Sequence, residues 1–185
     1  TMGSIYAKDL LGYENPRVAL LNNGSEENKG TEVQQKAFDM LRQSRLNFIG
    51  NCEGRDLPAD FCDVVVCDGF IGNIALKTIE GMGKLVGRVL ERIFKKNPIT
   101  MIGYLFTRRS TNAVRKQLDH TEYGGAPFLG INGVVIKAHG SAKEKSVTAA
   151  VRQAVNCCEM RLVEKISEEI AALRTDGEGN DQQKG

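Results

Sequence analysis

Three short segments carry the side chains from which chemistry would be built: Asn22-Asn-Gly-Ser-Glu-Glu-Asn-Lys-Gly30, Asp68-Gly-Phe-Ile-Gly-Asn73 and Lys137-Ala-His-Gly-Ser141. Each joins glycine, which lets a backbone come close to a ligand, to side chains able to bind or orient one. Each also precedes a helical pattern, whose first N–H groups and positive dipole end favour an anion. Taken singly, glycine and asparagine after a strand are ordinary turn chemistry. Three such segments in one small domain point to a shared site.

Other chemistries find less support. The five cysteines, at 52, 62, 67, 157 and 158, form no Cys-x-x-Cys pair, and His120 and His139 stand apart from them, so no metal site is expected. No Gly-x-Ser-x-Gly elbow offers a serine nucleophile. Cys67 beside Asp68 is a rival acyl carrier, but nothing adjacent in the sequence would activate its thiol. An odd thiol count without a charged-then-apolar leader fits reduced cysteines in the cytoplasm. No apolar run approaches the roughly 20 residues that span a bilayer. A helical pattern running by Ser4 to Leu11, right after the opening Thr1, reads as a fragment of a longer chain.

Charge is unevenly spread. Between Lys84 and Lys116 stand nine basic residues against the single acid Glu91, although the whole chain carries only +2. Lys84, Arg88, Arg92 and Lys95/Lys96 recur at the spacing of one helical face. Next to them lies the apolar run of Ile99, Met101, Ile102, Tyr104, Leu105 and Phe106, bracketed by paired cations. Such a window attracts an anionic membrane or an acidic protein. The simpler alternatives are a solvated face and a tip packed on a dimer mate. Nucleic acid is not expected, since no stacking aromatic motif accompanies the cations.

The elements that must position these residues alternate. Strands are expected at 17–22, 46–50, 63–67 and 133–137, the third with the β-branched run of a strand covered on both faces. Helices are expected at 31–43, with Val33, Ala37, Met40 and Leu41 as the apolar positions, and from Asn73 to about Lys96. A returning helix at about 107–119 and a long carboxyl-terminal helix follow. The last helix opens with a Ser141/Glu144 capping box and carries Val147, Val151, Val155, Cys158, Leu162, Ile166 and Ile170 on one face. Gly81, Gly83 and Gly87 either admit a close helix or merely loosen theirs. The alternation argues for parallel βα units, with ligands gathering at the strands' carboxyl ends. One domain, 1–175, is expected, with a helical protrusion at about 80–120. Residues 176–185 have no apolar anchor and read as a disordered tail.

Four blocks make a resemblance specific: Asn22-x-Gly24 with Lys29-Gly30, Gly50-Asn-Cys-Glu-Gly-Arg55, Val66-Cys-Asp-Gly-Phe-Ile-Gly-Asn73 with Lys77-Thr-x-Glu-Gly81, and Tyr123-Gly-Gly-Ala-Pro-Phe-Leu-Gly-Ile-Asn-Gly-Val-Val-Ile-Lys-Ala-His-Gly140. In that order, from about Met2 to about Ile170, the chain resembles the carboxyl-terminal half of the PlsX-type phosphate acyltransferases. It departs from the family at Asn28 and Thr31, and lacks the amino-terminal half with its Asp-Ala-Met-Gly-Gly-Asp segment. The resemblance implies a three-layer α/β/α fold similar to the isocitrate and isopropylmalate dehydrogenases, with a protruding helical pair. It also implies a homodimer that moves an acyl group from acyl carrier protein to inorganic phosphate for phospholipid synthesis. No cofactor is implied, and a membrane glycerol-3-phosphate acyltransferase is an expected neighbour.

Under that reading Lys29 and Lys137 hold phosphate, with Arg55 a weaker contact and Gly69 and Gly72 admitting the ligand to the backbone. Asn73 donates to the oxyanion, Asp68 orients Lys77 or Asn73, and His139 shuttles a proton. Arg88, Arg92, Leu105 and Phe106 meet the membrane or the carrier protein. Each has a plainer alternative: Lys29 and Arg55 as solvated cations, Asp68 as a cap, Asn73 as a helix start, His139 as a structural hydrogen-bonder. Rival functions are a phosphotransacetylase acting on acyl-CoA and a non-catalytic binding module. An isocitrate-type dehydrogenase is disfavoured because its arginine cluster and paired metal aspartates are not evident.

Overall fold

Val18, Ala19 and Leu20 are all buried, although successive strand residues face opposite sides of a sheet. Their strand must therefore be covered above and below, and the computed structural model, which describes residues 1–117, 125–138, 140 and 142–181, places it at the centre. This strand, β1 (Val18–Leu21), lies between β2 (Phe48–Cys52) and β3 (Val64–Val66), parallel to both. The register sets Leu20 opposite Asn51 and Val66, and Leu21 opposite Cys52. All three strands thus end at one edge, and their following loops share it. The expected α/β class with a parallel sheet is observed.

Helix α1 (Met2–Leu11) packs on β3, and its Gly3 lies so close that a β-carbon there would sit 3.0 Å from Val64 Cγ1. Gly12, with φ +81°, closes that helix in the left-handed conformation favoured by glycine. Helix α2 (Glu32–Arg42) packs on β1 and β2, with Phe38 edge-on to Phe48 at 5.1 Å between ring centres. Its inward residues are Gln34, Ala37, Phe38 and Leu41, whereas Val33 and Met40 are exposed. That corrects the expected apolar face. β3 also differs from expectation: at the sheet edge its three valines are only half-buried.

Helix α3 (Gly69–Phe94) begins four residues earlier than the sequence pattern indicates, because Asp68 caps it. The chain then turns at Asn97. There the Thr100 N–H donates to Asn97 Oδ1 at 2.9 Å, and Asn97 N–H donates to Thr100 Oγ1 at 3.2 Å. With Pro98 at the first helical position, this reciprocal cap starts α4 (Pro98–Gln117), which absorbs the apolar run and the expected returning helix into one element. Phe94 and Tyr104 join the pair, ring centres 5.0 Å apart. No residue of α3 is buried, and a β-carbon at Gly81, Gly83 or Gly87 would meet nothing within 4 Å. Within the described residues, then, no helix uses those glycines for close approach.

A two-stranded antiparallel sheet, β4 (Gly125–Pro127) with β5 (Ile136–Ala138), packs on α5 (Glu144–Glu159). The expected single carboxyl-terminal helix is two, for Arg161 takes φ 52° and turns the chain into α6 (Leu162–Asp181). Cys157, Leu162 and Ile166 form a core with Met2, Ile5, Leu129, Val134 and Ile170 around it. α6 continues past Asp176 into the stretch expected to be a tail, since extending a helix costs far less than starting one. Ser141 of the expected capping box lies outside the described residues, and α5 starts with Lys143 at its cap.

At the other end of the sheet, Asp63 accepts from the Arg17 backbone N–H at 2.7 Å and from its guanidinium at 3.0 and 2.9 Å. The guanidinium holds the Asp63 carboxyl below the usual carboxylate range. Its stabilisation is therefore complete above about pH 4 and is lost as pH falls through the lowered folded value. Asp63→Ala should cost about 2 kcal/mol at neutral pH. The gap from the parent should close in acid, as urea unfolding at two pH values would show.

Candidate functional site

The loop after β1 is built to display Lys29. Asn22 Oδ1 accepts from the Asn23 N–H at 2.9 Å, and Asn22 Nδ2 donates to the Lys29 carbonyl at 3.0 Å. Gln35 Nε2, from the first turns of α2, donates to the Asn28 carbonyl at 3.0 Å. The Glu26 carbonyl receives the Lys29 N–H at 3.1 Å and Asn51 Nδ2 at 2.8 Å. Three carboxamides thus hold the loop's carbonyls. Glycine is required twice: a β-carbon at buried Gly24 would come within 2.8 Å of Lys29 Cγ. At Gly30 (φ +87°) it would come within 2.6 Å of Asn22 Oδ1. The lysine stem therefore crosses Gly24, and among the described residues its ammonium has only a loose 3.8 Å contact with Glu26. Thr31, at a position where the chain departs from the resembled family, is the N-cap of α2, its hydroxyl and N–H both meeting Gln34 Oε1.

The two neighbouring loops share the edge but differ in what they leave free. Beyond β2, Glu53 and Asp56 close a tight turn, with the Glu53 N–H donating to Asp56 Oδ2 at 2.8 Å. Arg55 is exposed and paired with Glu53 at 2.9 Å, with Asp56 4.0 Å away. Beyond β3, Asp68 Oδ1 accepts from Phe70 and Ile71 N–H, each at 2.9 Å. Asp68 therefore caps the helix, and Lys77, one of the two residues it was expected to orient, pairs with Glu80 at 2.8 Å. Asp68 also occupies two of the backbone donors that the sequence reading left for an oxyanion. Gly72 is needed for packing, because a β-carbon there would lie 2.7 Å from Cys67 Sγ. Asn73 is exposed in the second turn of α3 and makes no side-chain hydrogen bond among the described residues.

Desolvation, with the Asp68 carboxylate adding to it, pushes the Cys67 thiol above its ordinary range. This is the opposite of what a cysteine nucleophile needs. Among the described residues no group of His, Cys, Asp and Glu could hold a metal ion. Lys137, exposed on β5, makes no ion pair among the described residues and is not joined to Lys29 by any bond. His139 lies outside the described residues. A hollow of about 500 Å³ between residues 127–135 and α6 is lined by Met2, Leu129, Val134, Leu162 and Ile166 among others, and by none of the predicted site residues that are described.

On α3, Arg88 and Arg92 are exposed. On α4, Ile99 is 80% and Phe106 87% exposed, and Leu105 stands one residue before the latter. No helix among the described residues is long and apolar enough to cross a membrane. Sequence reasoning named Asn22, Gly24 and Asn51 only as parts of motifs. The signal it missed was a buried-strand asparagine directly opposite Leu20.

Fold and site define a parallel α/β protein whose strand-end loops present a held lysine at one edge of the sheet. The chain belongs to the fatty acid synthesis protein family, whose model matches residues 1–165. It is 46% identical over 172 residues to a protein of Thermoanaerobacter pseudethanolicus named phosphate acyltransferase, covering 93% of this chain and 52% of that one. A phosphate acyltransferase of Caldanaerobacter subterraneus subsp. tengcongensis is 47% identical over 169 residues, 91% of this chain and 51% of the relative. One from Citrifermentans bemidjiense is 42% identical over 182 residues, 96% and 52% respectively. The chain spans about half the length of the curated relatives it matches.

Proposed function

We propose that this chain supplies the phosphate-holding part of an enzyme that transfers a fatty acyl group from acyl carrier protein to inorganic phosphate. The observation that carries this reading is Lys29, held over the sheet edge by Asn22, Gly24 and Gly30 in a chain of this family. Phosphate is already an anion near neutral pH, so its attack on the thioester needs positioning more than proton removal. A phosphate oxygen bonds to the thioester carbonyl carbon, and the carbonyl oxygen takes up the negative charge. Collapse breaks the carbon–sulfur bond, leaving acyl phosphate and the carrier thiolate, which takes a proton. Lys29 and Lys137 hold the phosphate, Gly69 lets it approach the backbone at the start of α3, and Asn73 donates to the oxyanion. Arg55 is a weaker contact because Glu53 already pairs with it. His139 would pass the proton of the attacking hydrogen phosphate to the departing thiolate, and the reverse reaction would use the same groups.

The complete fold in this proposal is three-layer α/β/α of the isocitrate and isopropylmalate dehydrogenase type. The uncovered apolar residues of α3 support a homodimer. The basic stripe and apolar tip support contact with an anionic membrane or the acidic carrier protein.

Acyl phosphate formation from acyl carrier protein and phosphate should be measured with this chain alone, then with the portion of a relative that it does not match. Activity on complementation is expected, with acyl-CoA a poorer donor. Activity with acyl-CoA only would favour a phosphotransacetylase, and none with folded components would leave a binding module. Sedimentation with anionic vesicles, lost in Phe106→Ser, checks the tip. Equal sedimentation of both forms would remove the membrane contact.

A further inference from the structure

Asn51 stands on β2 with 4% of its surface exposed, and its carboxamide is only half used. Nδ2 donates to the Glu26 carbonyl, while Oδ1 is buried with no partner among the described residues. A half-satisfied buried amide is poorer for stability than an apolar side chain of the same shape. The Glu26 carbonyl would not be orphaned by its loss, since the Lys29 N–H also donates there. Stability therefore gives no reason for an asparagine at this position, and position does. Asn22 and Gln35 grip the loop from its own two ends. Among the described side-chain bonds to this loop, only that from Asn51 comes from another strand, 25 residues away in sequence.

We infer that Asn51 is a positioning residue: it ties the loop of residues 22–30 to β2 and so fixes where Lys29 presents its ammonium. It acts through Lys29 and touches no reacting atom. The inference rests on the assignment of Lys29 to phosphate, and its test separates the two.

The 185-residue chain, Asn51→Leu, Lys29→Met and the double variant would each be titrated with inorganic phosphate by calorimetry, with melting temperature and amide hydrogen exchange measured alongside. In Asn51→Leu, phosphate binding should weaken about fivefold or more, the loss expected for one hydrogen bond's worth of positioning. The melting temperature should be unchanged or higher, and the Lys29 amide should exchange faster while β1 amides do not. In the Lys29→Met background the Asn51 change should have no further effect.

Asn51→Leu that binds phosphate like the parent overturns the inference, as does an equal loss with and without Lys29. Phosphate binding indifferent to Lys29→Met overturns the Lys29 assignment instead. Faster exchange of the Lys29 amide would still show the tether in that case. If Asn51→Leu does not fold, Asn51→Ser carries the same comparison.

Discussion

Replacing Lys29 by methionine is expected to raise the phosphate concentration for half-maximal acyl phosphate formation about 10- to 100-fold, the loss of one charge-assisted hydrogen bond. The half-saturating acyl donor concentration should barely change. Methionine keeps the unbranched stem that crosses Gly24 and removes only the charge. The effect should exceed that of Arg55→Met, because the Arg55 guanidinium is already bound to Glu53 at 2.9 Å. Among the described residues Lys29 has no such competitor, its nearest carboxylate oxygen being 3.8 Å away. Initial rates over a phosphate series in the complemented enzyme would decide it. An unchanged phosphate dependence would return Lys29 to the role of a solvated cation.

Gly30→Ala should do more damage to the loop than any single change at its exposed side chains. At φ +87° an alanine is strained by on the order of 1–2 kcal/mol, before its methyl meets anything. That methyl would lie 2.6 Å from Asn22 Oδ1 and 2.8 Å from Gln34 Cβ, so Asn22, which closes the loop, and Gln34, which caps α2, must both move. A total near 3 kcal/mol is expected, borne by the loop rather than by the sheet. Hydrogen exchange should show lost protection at the Lys29 amide while the β1 and β2 amides stay protected. Phosphate dependence should weaken in parallel with Lys29→Met. A variant with native protection and native phosphate dependence would show that the loop tolerates the methyl, and the cradle would lose its meaning.

The structure separates the predicted site into parts that the sequence could and could not resolve. Lys29, Arg55, Asp68 and Asn73 follow strands that end at one edge, as the βα alternation indicated. Their local partners were not legible, because an ion pair between Lys77 and Glu80, or a carboxylate turned back on Phe70 and Ile71, depends on rotamers. Asp68 Oδ1 has the geometry of a cap, accepting from the Phe70 and Ile71 N–H groups. Asn51 was missed for a related reason. Within the block around Arg55 it reads as one more polar residue, and its burial appears only when β2 is set against β1 and the loop folds over it.

The apolar pattern by itself determined where elements occur. The β-branched and apolar runs specified three parallel strands, whereas the start of α4 at Asn97 and Pro98, about nine residues before the expected returning helix, came only with the structure. Which face each helix buries was decided only by the tertiary structure. On α5 the conspicuous row Val147, Val151 and Val155 is exposed. The face turned inward carries Ser146, Ala149, Ala150, Gln153, Ala154 and Cys157 instead. Small side chains let that helix approach β4 and β5 closely, so burial there follows from size and fit rather than from hydropathy. The positive φ at Arg161 likewise divides a continuous helical pattern in two, since a turn of the backbone leaves no periodic trace in the residues on either side.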